Sequence, residues 1–271
     1  MRRVGLAAIA VAVALWGRPA MTQATEPVLL HAAGSLRAAL DEVAASYEKT
    51  TGTRVIAKYA ASGLLREEIE RGAKAEVFAS ANMEHPLMLA RAGKSSPVAL
   101  FARNQLCALA RPGLAVEPDT LLDRMLEASV RLGTSTPRAD PSGDYAWEVF
   151  RRADAQRPGA FATLSHKALQ LTGGPASVAA PAGRSLYGML VSQGHADIFL
   201  TYCTNALAAA RENPGQRVIA LPDNLAVGAD YGLTVMNDAA PAAWHFAMFI
   251  LSSDGQRILA NHGFAAPGAP R

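Results

Sequence analysis

The most constraining feature of this chain is a unit that recurs along it: a short apolar strand, a turn of small residues carrying a serine, then a helix. Val28–Ala33 leads into Gly34-Ser35 and a helix whose Leu36, Leu40, Val43 and Tyr47 share one face at a 3.6-residue period. Arg54–Tyr59 leads into Ala61-Ser62-Gly63 and a helix over Leu64–Arg71, and Glu76–Ser80 reads as a third strand. Strand, helix and strand in this order give parallel pairing, because parallel neighbours need a long crossover. The pattern predicts an α/β protein with helices on the faces of its sheets.

The middle and end of the chain continue the pattern. Strands are predicted over Gln105–Ala110, Val130–Gly133, Asp197–Tyr202, Val218–Leu221 and Tyr231–Met236. Helices are predicted over Tyr145–Ala153, Ser185–Gln193, Ala242–Leu251 and Gly255–Asn261. Pro141-Ser142-Gly143 precedes the first of these helices and supplies the third serine turn. No Pro/Ser-rich linker divides the chain, so two lobes would have to be joined by crossing strands. A length of 271 residues is enough for a proper core in either arrangement.

The N-terminus reads as a secretory signal peptide over residues 1–24. Met1-Arg2-Arg3 is basic, Gly5–Trp16 is uncharged and apolar, and Thr22-Gln23-Ala24 ends in a small residue. The run is too short to span a bilayer. This leader also explains the charge. The whole chain is formally +3, but Arg2, Arg3 and Arg18 lie in the leader with no acid, leaving 23 basic against 23 acidic residues. A neutral mature protein has no electrostatic case for nucleic acid or anionic membrane. Export would place Cys107 and Cys203 where a disulfide is permitted; whether they pair or stay as two buried thiols is open at this stage.

Several chemistries lack an anchor. The six histidines (31, 85, 166, 195, 245 and 262) show no His-Glu-x-x-His spacing, and there is no phosphate-binding Gly-x-x-x-x-Gly-Lys motif and no Gly-x-Ser-x-Gly elbow. Ser46-x-x-Lys49 lies at the polar end of the first helix and reads as a solvated face. The three serine turns remain. A serine before a helix is ordinarily an N-cap. Three of them after parallel strands point further, because α/β folds bind ligands at the carboxyl ends of their strands. Hydroxyls, free N–H groups and helix dipoles together suit an anion.

Ala32-Ala33-Gly34-Ser35-Leu36, Tyr59-Ala60-Ala61-Ser62-Gly63, Ala75–Ala81, Pro141–Ala146 and Ala196–Ala206, in that order, resemble segments of the periplasmic molybdate-binding proteins of ABC importers. The tail from Ser253 to Phe264 resembles the closing helix of many extracellular solute-binding proteins. The resemblance implies a two-lobe type II periplasmic-binding-protein fold, with mixed sheets flanked by helices and the ligand in the cleft between lobes. Lobe I is expected over residues 25–104 and 205–271, and lobe II over 105–204. Carried over by position, the oxyanion is held by Ser35 and Ser62 from lobe I and by Ser142, Arg184 and Tyr202 from lobe II. Ser142 inherits a backbone N–H donor and adds a hydroxyl; Gly183 or Ser185 could hold the place of Arg184. Asp144 beside the Ser142 turn would repel a dianion unless it points away or caps its helix.

The function implied is a monomeric periplasmic receptor that binds molybdate or tungstate and delivers it to a membrane permease, with no catalysis, no cofactor and no cationic metal. One alternative is a receptor for sulfate, phosphate or a carboxylate using Arg184, since arginine forks onto carboxylates. A secreted serine hydrolase is a weaker alternative, with no histidine near the turn serines except His31. A regulator's sensing domain is weaker still, given the leader and the lack of a DNA-binding helical domain.

Overall fold

A computed structural model describes residues 26–178 and 183–268. The expected leader lies outside the described residues. In chain order the elements are β1 (Val28–Ala33), α1 (Arg37–Thr51), β2 (Val55–Ala60), α2 (Ser62–Glu70), β3 (Val77–Ser80), α3 (Glu84–Arg91) and the long β4 (Ala99–Ala110). Then come α4 (Leu121–Leu126), β5 (Leu132–Ser135), α5 (Pro141–Gln156), α6 (Ala160–Lys167), β6 (Leu169–Thr172), α7 (Leu186–Ser192) and β7 (Ile198–Tyr202). The chain finishes with α8 (Cys203–Glu212), β8 (Arg217–Ala220), β9 (Gly228–Val235), α9 (Pro241–Leu251) and α10 (Ser253–Asn261).

The strands run in the order β2-β1-β3-β9-β4-β7-β5-β6, with β8 on β4. Two parallel groups, β2-β1-β3 and β6-β5-β7, lie on either side of the antiparallel pair β9-β4. β4 belongs to both halves: Ala99–Gln105 pair with β9, and Leu106–Ala110 pair with β7. Residues 107–110 of β4 also pair with β8 on the other side. This mixed sheet with helices on both faces has the make-up that the type II periplasmic-binding-protein fold calls for.

α8 packs on β4, α7 and β8, and β8 pairs only with the far half of β4. We propose on this ground that the chain returns to lobe I later than residue 204. The chain comes back at Val227, whose carbonyl accepts from Leu106 N–H at 3.1 Å, just before β9.

In lobe I, Leu36, Leu40, Val43 and Tyr47 are all buried, as their spacing predicts, and they pack under α9 and α10 beside Phe246, Ile250, Ile258 and Leu259. Each such side chain contributes about 1.5–3 kcal/mol when fully buried. The opposite face of the sheet is covered by α2 and α3 through Leu65, Ile69, Phe78 and Leu89. In lobe II, α4, α5 and α6 cover one face through Met125, Val149, Phe150 and Leu164. α7 and α8 cover the other through Leu190, Val191, Phe199 and Ala206.

Candidate functional site

The serine turns lie at the carboxyl ends of the parallel strands, as the pattern predicts, but none of the three serine side chains caps its helix. Ser35 sits in a single 3-10 turn after β1, and its Oγ lies 3.0 Å from the Tyr231 hydroxyl. Ser62 opens α2, is fully buried, and its Oγ accepts the Ala81 N–H at 3.0 Å. That leaves the Ser62 hydroxyl proton free to donate. Ser142 is the second residue of α5, with Asp140 as the N-cap and Pro141 at the first position. The Ser142 N–H donates to Asp140 Oδ1 at 3.0 Å. The Ser142 hydroxyl is fully buried and has no hydrogen-bond partner among the described residues.

Tyr202 ends β7 and is 2 % exposed, with its hydroxyl donating to the Ala81 carbonyl at 3.4 Å. Its ring lies 5.5 Å from that of Tyr231 and 6.2 Å from that of Tyr145. Four of the five expected residues thus fall in one connected set. Ser35 reaches Tyr202 through Tyr231, Ser62 reaches Tyr202 through Ala81, and the turn before Ser142 touches the start of α2. That last contact is a hydrogen bond across the lobes, Gly63 N–H to Ala139 carbonyl at 2.9 Å. Gly63 is required there, because a Cβ would stand 2.7 Å from the Ala139 oxygen.

Arg184 is not brought to this set. It is exposed and ion-paired to Glu212, the last residue of α8, whose carboxylate also accepts the Ser185 N–H at 2.6 Å. α8 begins directly after Tyr202, so the pair sits a full helix away, about 14 Å at 1.5 Å per residue. The Ser185 hydroxyl is engaged as the N-cap of α7, donated to by Gly188 N–H. Asp144 neither faces outward freely nor caps the helix: it accepts the Arg138 N–H at 2.9 Å, beside a left-handed Arg138 with φ 68°.

Two residues that sequence reasoning missed belong to the set. Tyr231, fully buried on β9, joins Ser35 to Asn104, whose amide donates to the Tyr231 hydroxyl at 3.4 Å and to Thr204 Oγ1 at 2.9 Å. Asp140 is the other. Its sequence signal was present, since Asp before Pro is a common helix-start pair. Burial pushes the phenols of Tyr202 and Tyr231 well above their ordinary range, so both are neutral hydrogen-bond donors. Burial likewise raises Asp140 to about 6.

The disulfide left open by the sequence is formed. Cys107 on β4 and Cys203 at the start of α8 have Cα atoms 4.8 Å apart. The bridge pins α8 to β4 one residue after Tyr202. The hydroxyls of this hydrogen-bonded set, which contains no lysine or arginine side chain among the described residues, have the chemistry to meet a compact anion.

The chain belongs to the bacterial extracellular solute-binding protein family, whose profile it matches over residues 28–265. It is 32% identical to the uncharacterized protein PM1146 of Pasteurella multocida, over 86% of this chain and 96% of that one. It is 26% identical to the molybdate-binding protein ModA of Escherichia coli, over 88% of each chain. Among solved structures, the sulfate-binding protein SubI of Mycobacterium tuberculosis superposes with a TM-score of 0.73 at 17% identity, covering 90% of this chain and 88% of that one. Members of this class serve ABC importers as the component that carries a small solute.

Proposed function

We propose that this protein is the periplasmic receptor of an ABC importer for a small tetrahedral oxyanion, with molybdate or tungstate as its ligand. In this reading the leader directs export and is removed, and the mature chain works as a monomer that releases its ion to a membrane permease. Lobe I contributes Ser35 and Ser62; lobe II contributes Ser142 and Tyr202. The observation that supports the reading is the linkage of Ser35, Ser62 and Tyr202, at the ends of parallel strands from both lobes, through Tyr231 and Ala81. Neutral donors fixed in advance hold an anion without the cost of reorganising water around it. The relative that binds molybdate supports the choice of ion.

The alternative of sulfate, phosphate or a carboxylate held by Arg184 has less support, since the Arg184 guanidinium pairs with Glu212. Calorimetric titration of the mature protein with molybdate, tungstate, sulfate and phosphate tests the proposal. Molybdate and tungstate are expected to bind at micromolar concentration or below. Ser35→Ala and Ser62→Ala are each expected to weaken binding at least tenfold. Tight binding of sulfate or phosphate alone would replace the proposed ion, and silence with all four would overturn the oxyanion reading.

A further inference from the structure

The Ser142 N–H, the donor that the resemblance assigns to the ligand, is already occupied. It points to Asp140 Oδ1 at 3.0 Å. An anion that uses this end of α5 therefore meets a carboxylate there. We propose that Asp140 couples anion capture to a proton: the oxyanion enters with one proton from solvent, which is held between the Asp140 carboxyl and the anion oxygen facing it. This inference rests on the oxyanion reading above. It adds Asp140 as the residue that sets the protonation state in which the ion is held.

The surroundings of Asp140 leave little else to neutralise two neighbouring anions. Ser135 faces it from the end of β5, and Asp144, itself an acid, faces it from α5. Tyr187 on α7 and Tyr202 on β7 face it as neutral phenols. Gly173, just after β6, lies so close that a Cβ there would run into the Asp140 side chain, and its φ of +75° also calls for glycine. The partly buried carboxylate thus packs against the backbone of Gly173, with no guanidinium or ammonium among these neighbours. The nearby Ser142 hydroxyl is buried and unpartnered, and an arriving anion would supply its acceptor.

The chemistry balances simply. An ionised Asp140, a proton and a dianion give a carboxylic acid that donates one hydrogen bond to the anion. Written the other way, a hydrogen-oxyanion donates to the ionised Asp140. No bond other than that to the proton changes. Burial already holds the Asp140 carboxyl near 6 in the free protein, so a neighbouring dianion raises it further and draws in the proton at neutral pH.

The test is calorimetry of the mature protein with sodium molybdate at pH 7.0, 7.5 and 8.0, each in two buffers of different ionisation enthalpy. Uptake approaching one proton per anion is expected. Affinity should then fall about tenfold per pH unit, as linkage requires for one proton. Asp140→Asn keeps an N-cap acceptor. It is expected to bind with no proton uptake and a flat pH profile, and to exceed the wild type at pH 8.0 about tenfold. Asp140→Ser, also a capping residue, serves the same purpose should the first variant not fold. Molybdate binding without proton uptake would overturn this inference while leaving the oxyanion reading intact, as would uptake that persists in both variants. No binding of any oxyanion by the wild type would remove both.

Discussion

Lobe II holds a buried carboxylate at one end of its parallel strands and a partly buried one at the other, and they are treated in opposite ways. Asp197 lies just before β7 and is 5 % exposed. Its carboxylate accepts from the Arg131 N–H at 2.8 Å, from the Arg131 guanidinium at 2.9 and 3.0 Å, and from Arg111 Nε at 2.8 Å. These bonds hold it down to about 2, and they tie the ends of β4, β5 and β7 together. Asp140, at the carboxyl ends of the same strands, has only a helix N-terminus and hydroxyls, and is raised to about 6. The amino end of the strands is fully paired; the carboxyl end is not. A protein built for stability alone would have no reason to leave Asp140 and the Ser142 hydroxyl so poorly matched. A binding site does, because a ligand completes them.

The largest test of this contrast is the disulfide, which does at the site end what the ion pairs do at the other. Cys107→Ser with Cys203→Ser should cost about 2–4 kcal/mol and weaken anion binding by loosening the start of α8. Unchanged affinity would mean that Tyr202 is positioned by β7 alone. Next is Asp197→Ala. It removes the hydrogen bonds that a buried carboxylate makes to two half-exposed arginines, and should cost about 1.5–3 kcal/mol in urea unfolding. A loss under about 1 kcal/mol would show that the paired end is ornamental.

The pH dependence of stability sharpens the comparison further, since the two carboxylates have opposite signs. Asp197, lowered to about 2, contributes stability that is present above its unfolded pKa and lost as pH falls from about 4 to about 2. Asp140, raised to about 6, favours the protonated native state, so it destabilises as pH rises from about 4 to about 6. Asp140→Asn should therefore stabilise the ligand-free protein by about 1–2 kcal/mol at pH 8 and flatten the decline over that window. The smallest effect is expected from Ser142→Ala. Removing an unpaired buried hydroxyl should leave the free protein within about 1 kcal/mol of the wild type, while oxyanion affinity falls. Thermal melts with and without molybdate separate the two.

What the sequence made legible follows local rules. The buried face of α1 and the position of each serine turn after a strand depend on periodicity and turn chemistry within a dozen residues. What it hid depends on distant partners. The pairing of β8 with residues 107–110 spans a gap of about a hundred residues, which no local pattern shows. The resemblance carries Arg184 to the ligand, while its ion-pair partner Glu212 lies 28 residues away, beyond the reach of any local pattern. The helix predicted from Tyr145 starts four residues earlier, at Pro141, with Asp140 as its N-cap, so from the sequence pattern alone a capping carboxylate reads as loop.

The position of β9 has a consequence for how the molecule can be assembled. It lies between β3 and β4, so the first sheet has an open seam until residues 228–235 arrive. α9 and α10, which close the core over α1, come later still. A chain that emerges amino end first can therefore finish its second lobe while the first still shows a bare strand edge and half a core. The lobe begun first is the last to be sealed, and during that interval β3 is the surface most in need of protection from other chains.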